Sequence, residues 1–155
     1  MSTANFAGPP ARAWKDDVAV VEMTALLPSG PLDDQWAQDQ WADDQWESFE
    51  AIVGAEGRQF YAMVRPRLRT YTVCSPLRQG EDAGTFGLSV GTLPGGWYLC
   101  GRLVGEPPEL YARIGAALAE LELLAFADDT RPRVEHYRGR TEVDLWLPVG
   151  AEGTS

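Results

Sequence analysis

Histidine is almost missing from this chain: His136 is the single one in 155 residues, and only two cysteines, Cys74 and Cys100, join it. Neither residue type recurs at ligand spacing, so the common metal-binding patterns are excluded and no metal or other cofactor is expected. The two thiols sit in separate apolar, strand-like runs, a setting in which an intracellular protein keeps them reduced and buried rather than paired in a disulfide. Long hydrophobic runs are missing too. Nothing approaches the roughly 20 apolar residues that span a bilayer, and the opening MSTANFAGPPARAWKDD has no charged start followed by an apolar stretch. No membrane partner is expected, and the expected location is cytoplasmic. Basic residues are scarce: 13 Lys and Arg against 23 Asp and Glu leave a formal charge of −10. Such a balance repels phosphate backbones and attracts cations, and the arginines do not gather on one predicted helix, so a nucleic-acid partner is not expected.

What is present suits one domain. With 45 % hydrophobic residues, a chain of this length buries a core without staples or metal. Residues 1–15 and 150–155 are small, polar and rich in Gly and Pro, and are expected to be poorly ordered around a domain at 16–149. Val18–Leu26 is apolar and β-branched up to the breaker Pro28-Ser29-Gly30-Pro31, which predicts a strand and a turn. Residues 32–53 lack Gly and Pro and open with Asp33 and Asp34, which suit a helix N-terminus.

Within that helix the triplet Asp-Gln-Trp recurs at five-residue spacing, giving Trp36, Trp41 and Trp46. Five residues rotate by roughly 140°, so the three indoles do not share a face. Trp41, Ala42, Trp46, Phe49, Ile52 and Val53 form the core-facing arc. Trp36 falls among Asp39, Asp43, Asp44, Glu47 and Glu50, where it reads equally as a ligand wall or a partly covered surface residue.

Arg58–Arg65 is consistent with either a short helix or a strand. Arg67–Ser75 alternates as a strand, and Phe86–Val90 and Trp97–Val104 read as strands on either side of Pro94-Gly95-Gly96. Pro107-Pro108 starts a second helix carrying Leu110, Ile114, Ala117, Leu118, Leu121, Leu124 and Ala125 at helical spacing. Arg131–Tyr137 and Thr141–Val149 read as a closing hairpin. The order is a duplicated strand-helix-strand-strand unit. The fold class is therefore α+β: two pseudo-symmetric units forming an antiparallel sheet with two main helices. Two-residue periodicity in the penultimate strand aims Arg133, Glu135 and Tyr137 to one face, and Val134 and His136 to the other.

Pro132-Arg-Val-Glu135-His-Tyr137, then Thr141-Glu-Val-Asp-Leu-Trp-Leu-Pro148-Val149, resembles the closing signature of GyrI-like proteins: a proline, a Glu-x-Tyr strand, and Thr-Glu leading into a strand that ends Pro-Val. Leu93-Pro94-Gly95-Gly96-Trp97-Tyr98 is similar to that family's approach to its second unit. The resemblance covers residues 93–149, and the first half by element order. It departs at Val104-Gly105-Glu106-Pro107-Pro108, where many relatives have a histidine before Gly-Pro-Tyr.

The resemblance implies a cleft between the two units. Glu135 is its floor and Tyr137 its wall, as in the effector-binding domains of multidrug-transporter activators. Candidate walls are also Trp36, Phe60, Tyr71, Trp97, Tyr111 and Trp146, each of which is equally at home in a core. A carboxylate among aromatic rings is costly unpaired, and an organic cation supplies the missing charge. The expected function is binding of hydrophobic cationic aromatic small molecules, such as drugs and dyes, with a role in sequestration or resistance. No nucleophile with an adjacent base stands out. Two alternatives follow from the resemblance. One is a hydrolase that opens strained cyclopropane rings of DNA-alkylating natural products, with Glu135 and Tyr137 catalytic. The other is a protein that inhibits a topoisomerase. Neither the natural ligand nor the oligomeric state can be read from the sequence.

Overall fold

The computed structural model describes residues 6–27 and 35–150, without the side chains of residues 35–41 and of Ala83. The order is β1 (Ala11–Lys15), β2 (Val18–Leu26), α1 (Gln35–Val53), β3 (Phe60–Arg65), β4 (Thr70–Pro76), α2 (Ala83–Phe86), β5 (Ser89–Leu93), β6 (Gly96–Val104), α3 (Glu109–Ala112), α4 (Ile114–Leu124), β7 (Arg133–Gly139) and β8 (Glu142–Pro148). All the strands join one antiparallel sheet in the order β1-β6-β8-β7-β3-β4-β2-β5. Read outward from the central β3–β7 pair, the sheet is β3-β4-β2-β5 on one side and β7-β8-β6-β1 on the other. The duplicated α+β unit expected from the sequence is this pseudo-twofold arrangement.

Each unit takes its edge strand from the other. β1 precedes β2 but pairs with β6, whereas β5 precedes β6 but pairs with β2. Six strand spacings separate β1 from β2, about 29 Å in a flat sheet. Only Asp16 and Asp17 join them, and three Cα steps reach at most about 11 Å. The same holds for β5, Pro94-Gly95 and β6. The sheet must therefore curl until the two linkers cross. At the crossing the Gly95 N–H donates to Asp17 Oδ1 at 2.6 Å, and a Cβ on Gly95 would lie 2.4 Å from the Lys15 carbonyl oxygen.

β1 corrects the expectation of a poorly ordered arm for residues 11–15; residues 1–5 of that arm and 151–155 of the expected tail lie outside the described residues. Ala11–Lys15 is a laddered strand, but its short, mixed sequence has no periodicity to announce a partner that lies so far along the chain. Of the ambiguous stretch Arg58–Arg65, Phe60–Arg65 is the strand β3, with Phe60, Ala62 and Val64 facing one side and Tyr61 and Met63 the other. Arg67–Arg69 belongs to a turn rather than to β4, because Arg69 takes a left-handed φ of 54°. The strand predicted at Phe86–Val90 begins only at Ser89, and Phe86 closes the short α2.

Both main helices lie on one face of the sheet. α1 covers β4, and its Phe49 and Val53 pack into a core with Val21, Ala62, Tyr71 and Val73. Gly54, at φ +79°, ends the helix. Arg58 then fixes that end: its Nε donates to the Val53 carbonyl at 3.2 Å while its guanidinium stacks on Phe86 and pairs with Glu81. The predicted second helix is broken at Arg113, whose N–H bonds to Leu110 O in a tighter i→i−3 turn. α4 covers β8 and β6, and Leu110, Ile114, Ala117 and Leu121 bury against Leu99, Leu103, Val143, Leu145 and Leu147. The other face is concave and holds its own core of Val20, Met63, Cys74, Leu93, Tyr98, Val134 and Trp146. No helix among the described residues is long and apolar enough to cross a membrane.

Candidate functional site

The seam between the two helix-covered cores runs over β3 and β7, and Tyr137 packs against both cores. Alternation along β7 puts Glu135 on the same face, opposite Ala62 on β3 and Leu145 on β8. Glu135 is only 7 % exposed. Tyr137 Oη donates to Glu135 Oε1 at 2.5 Å, and the Tyr71 phenol also hydrogen-bonds to this carboxylate. Burial raises the Glu135 pKa to about 7 against the pull of these two phenols. No basic side chain among the described residues contributes to holding its charge. Burial also drives the Tyr71 and Tyr137 pKa values well above 10, with the Glu135 charge adding to the effect. The site is thus a carboxyl poised near neutrality whose hydrogen-bond partners remain phenols.

Aromatic rings enclose it. Trp46, from α1, donates its indole N–H to Tyr71 Oη at 2.9 Å. Its ring stands edge-on to Tyr137 at 5.1 Å and to Phe60 at 5.8 Å. Tyr111, from α3, meets Tyr137 from the other side at 6.0 Å and is 40 % exposed, which makes it the outer lip. Asp43 and Glu50 on α1 both raise the Tyr111 pKa, after burial and against Arg140. The helix therefore turns an acidic edge toward this lip.

Of the residues singled out in the sequence, Glu135, Tyr137, Tyr71, Phe60 and Tyr111 come together here. Trp146 does not. It pairs in register with Val134, on the concave face, and packs against Tyr61, Tyr98 and His136. Trp97 lies at the start of β6, edge-on to Trp14 at 5.7 Å beside Arg12, away from the Glu135 cluster. The Trp36 side chain lies outside the described residues. Trp46 was assigned to the core arc, and its place over the carboxyl depends on helix–sheet docking that periodicity does not reveal.

A surface depression of about 620 Å³ lies elsewhere, lined by Arg67, Phe126, Ala127, Asp128, Asp129, Thr130 and Gly150. Its charged groups are already paired: Asp129 with Arg67 and with the neighbouring Arg133, and Asp128 with the neighbouring Arg131. It contains no buried titratable group, so the Glu135 seam is the stronger candidate.

No family model and no curated protein matches this sequence. Solved structures do match its fold. An integron cassette protein from the mobile metagenome of Vibrio cholerae superposes with a TM-score of 0.70 at 13 % identity, over 93 % of this chain and 97 % of that one. SAV2435, solved bound to tetraphenylphosphonium, gives 0.61 at 14 % identity over 93 % and 95 %. The C-terminal domain of EcmrR gives 0.55 at 9 % identity over 90 % and 96 %. The curled eight-stranded sheet, the two helix-covered halves and these superpositions establish that the chain has the GyrI-like fold.

Proposed function

We propose that this protein binds lipophilic aromatic cations in the seam between its two halves, with Glu135 as the counter-charge. One observation carries the reading: a carboxyl buried among aromatic rings with no basic partner among the described residues. Ionised and alone, such a group carries a standing desolvation penalty, and a desolvated organic cation with stacking rings removes it. The acidic edge of α1 and the −10 net charge favour cations at long range. That SAV2435 has been solved with tetraphenylphosphonium supports the same reading. The role we propose is capture of cationic drugs or dyes by a cytoplasmic protein, with broad ligand choice, because charge and ring stacking discriminate less than a hydrogen-bond pattern.

The test is a titration with a planar fluorescent lipophilic cation and a neutral dye of like shape, repeated on Glu135→Gln. Saturable binding of the cation, weakened at least about tenfold in the variant, is the expected result. Unchanged affinity in a folded Glu135→Gln protein would sink the proposal.

A second reading has its own support. A carboxyl near neutral pKa hydrogen-bonded to a phenol is equipped for general acid–base work on a strained electrophile. Incubation with cyclopropane-bearing alkylators, followed by mass spectrometry, separates the two: recovery of unmodified substrate alone rules out the hydrolase.

A further inference from the structure

Trp46 is held much as a bound ligand would be. Its ring stands edge-on to Tyr137, Phe60 and Phe49, at centroid separations of 5.1, 5.8 and 6.5 Å, and its N–H donates to Tyr71 Oη at 2.9 Å. Tyr71 in turn bonds to Glu135. The indole therefore completes an aromatic box whose polar wall is an acceptor oxygen backed by a carboxyl. Asp43 and Glu50 lie three residues before and four after Trp46, on the same side of the helix. Both carboxylates act on Tyr111 across the seam. The indole is linked to the carboxyl through Tyr71, so a ring system bonded to that phenol takes the position Trp46 now fills.

We infer that the Trp46 indole occupies the ring subsite of the ligand, and that the preferred ligands are planar, indole-sized cationic heterocycles with an N–H donor, which displace it and bond to Tyr71. The inference rests on the cation-binding reading above and narrows it. A protonated heterocycle reproduces every contact of the indole and adds the charge that Glu135 lacks. A permanently alkylated ring of the same shape brings the charge but does not replace the hydrogen bond that the indole gives Tyr71. The wild-type affinity is lowered by the fraction of molecules in which Trp46 is in place. Trp46 is thus a specificity-determining residue that competes with the ligand, and removing it should tighten binding.

The experiment uses isothermal titration with 4-(dimethylamino)quinolinium, whose ring nitrogen carries a proton, and with its 1-methyl derivative. The proteins are wild type, Trp46→Ala, Trp46→Leu, and each of these with Glu135→Gln. Circular dichroism and thermal melting identify the folded variants, and Trp46→Leu keeps apolar bulk in case the alanine variant does not fold. The expected result is that the protonated ion binds folded Trp46 variants about tenfold or more tighter than wild type. It should also exceed its methylated counterpart by up to about tenfold, and both should be lost with Glu135→Gln. Equal or weaker binding by the folded Trp46 variants, with wild-type binding still dependent on Glu135, would overturn the displacement and leave the cation site standing. Equal affinity for the two quinolinium ions would overturn the role of the N–H donor. No binding by any folded form would overturn the cation reading and this inference with it.

Discussion

Cation affinity should depend on pH through one proton. Glu135 has a pKa of about 7, so about nine-tenths of it is ionised at about pH 8 and one-tenth at about pH 6. If the ligand requires the carboxylate, affinity falls about tenfold across that interval. Proton release on binding rises from about 0.1 to about 0.9 per site over the same range. The neighbours do not share this window. Tyr71 and Tyr137 are raised well above 10, and His136, on the opposite face, is pushed down to about 4.

Stability changes with the opposite sign to affinity. The folded-state pKa lies above the ordinary 4.5, so this group stabilises the unliganded fold below about pH 4.5, and the contribution is lost as pH rises through about 7. The total is about 3 kcal/mol. Titration calorimetry in buffers of different ionisation enthalpy reads affinity and proton release together, with a neutral dye as control. Affinity for the cation that stays flat between about pH 6 and pH 8, with no proton released, would refute the assignment of Glu135 as counter-ion.

Gly95→Ala should unfold the crossing of the linkers, since the new Cβ meets backbone atoms of Lys15, Asp16 and Asp17 at 2.4–2.7 Å. A loss of about 2–3 kcal/mol in urea unfolding is expected. Gly115→Ala meets nothing within 4 Å on an exposed stretch of α4 and should gain up to about 1 kcal/mol by the same measurement. Phe49→Ala, at a fully buried position under α1, should cost about 3–5 kcal/mol. It should also tighten cation binding, because Phe49 holds Trp46 in the position the ligand takes; wild-type affinity in a folded variant would detach that core from the site.

The main elements were legible where local patterning is strong. Alternation aimed Glu135 and Tyr137 to one face, and the i, i+3, i+4 pattern placed Leu110, Ile114, Ala117 and Leu121 on the sheet. Features that depend on distant partners were not legible. β1 has no signal of its own because its stability comes from pairing with β6, almost ninety residues away. The aromatics could not be divided between the two faces without the β7–β8 register, which puts Trp146 beside Val134 and Leu145 beside Glu135. A one-residue slip would exchange them. Trp46 was read as core from its helical phase, and only the docking of α1 showed that its half-buried edge completes a polar site.

The exchanged edge strands also constrain the order in which the molecule can assemble. β2, β3, β4 and β5 lie together between residues 18 and 93, but β1 has no partner until β6 exists, so the half made of β7, β8, β6 and β1 cannot complete its sheet from its own stretch of chain. Closing such long loops is entropically demanding and slow. The seam that holds Glu135 exists only after both halves have docked. A ligand seated there would therefore report on completion of the whole chain, and its binding energy would hold the two halves together as a unit rather than stabilise either one.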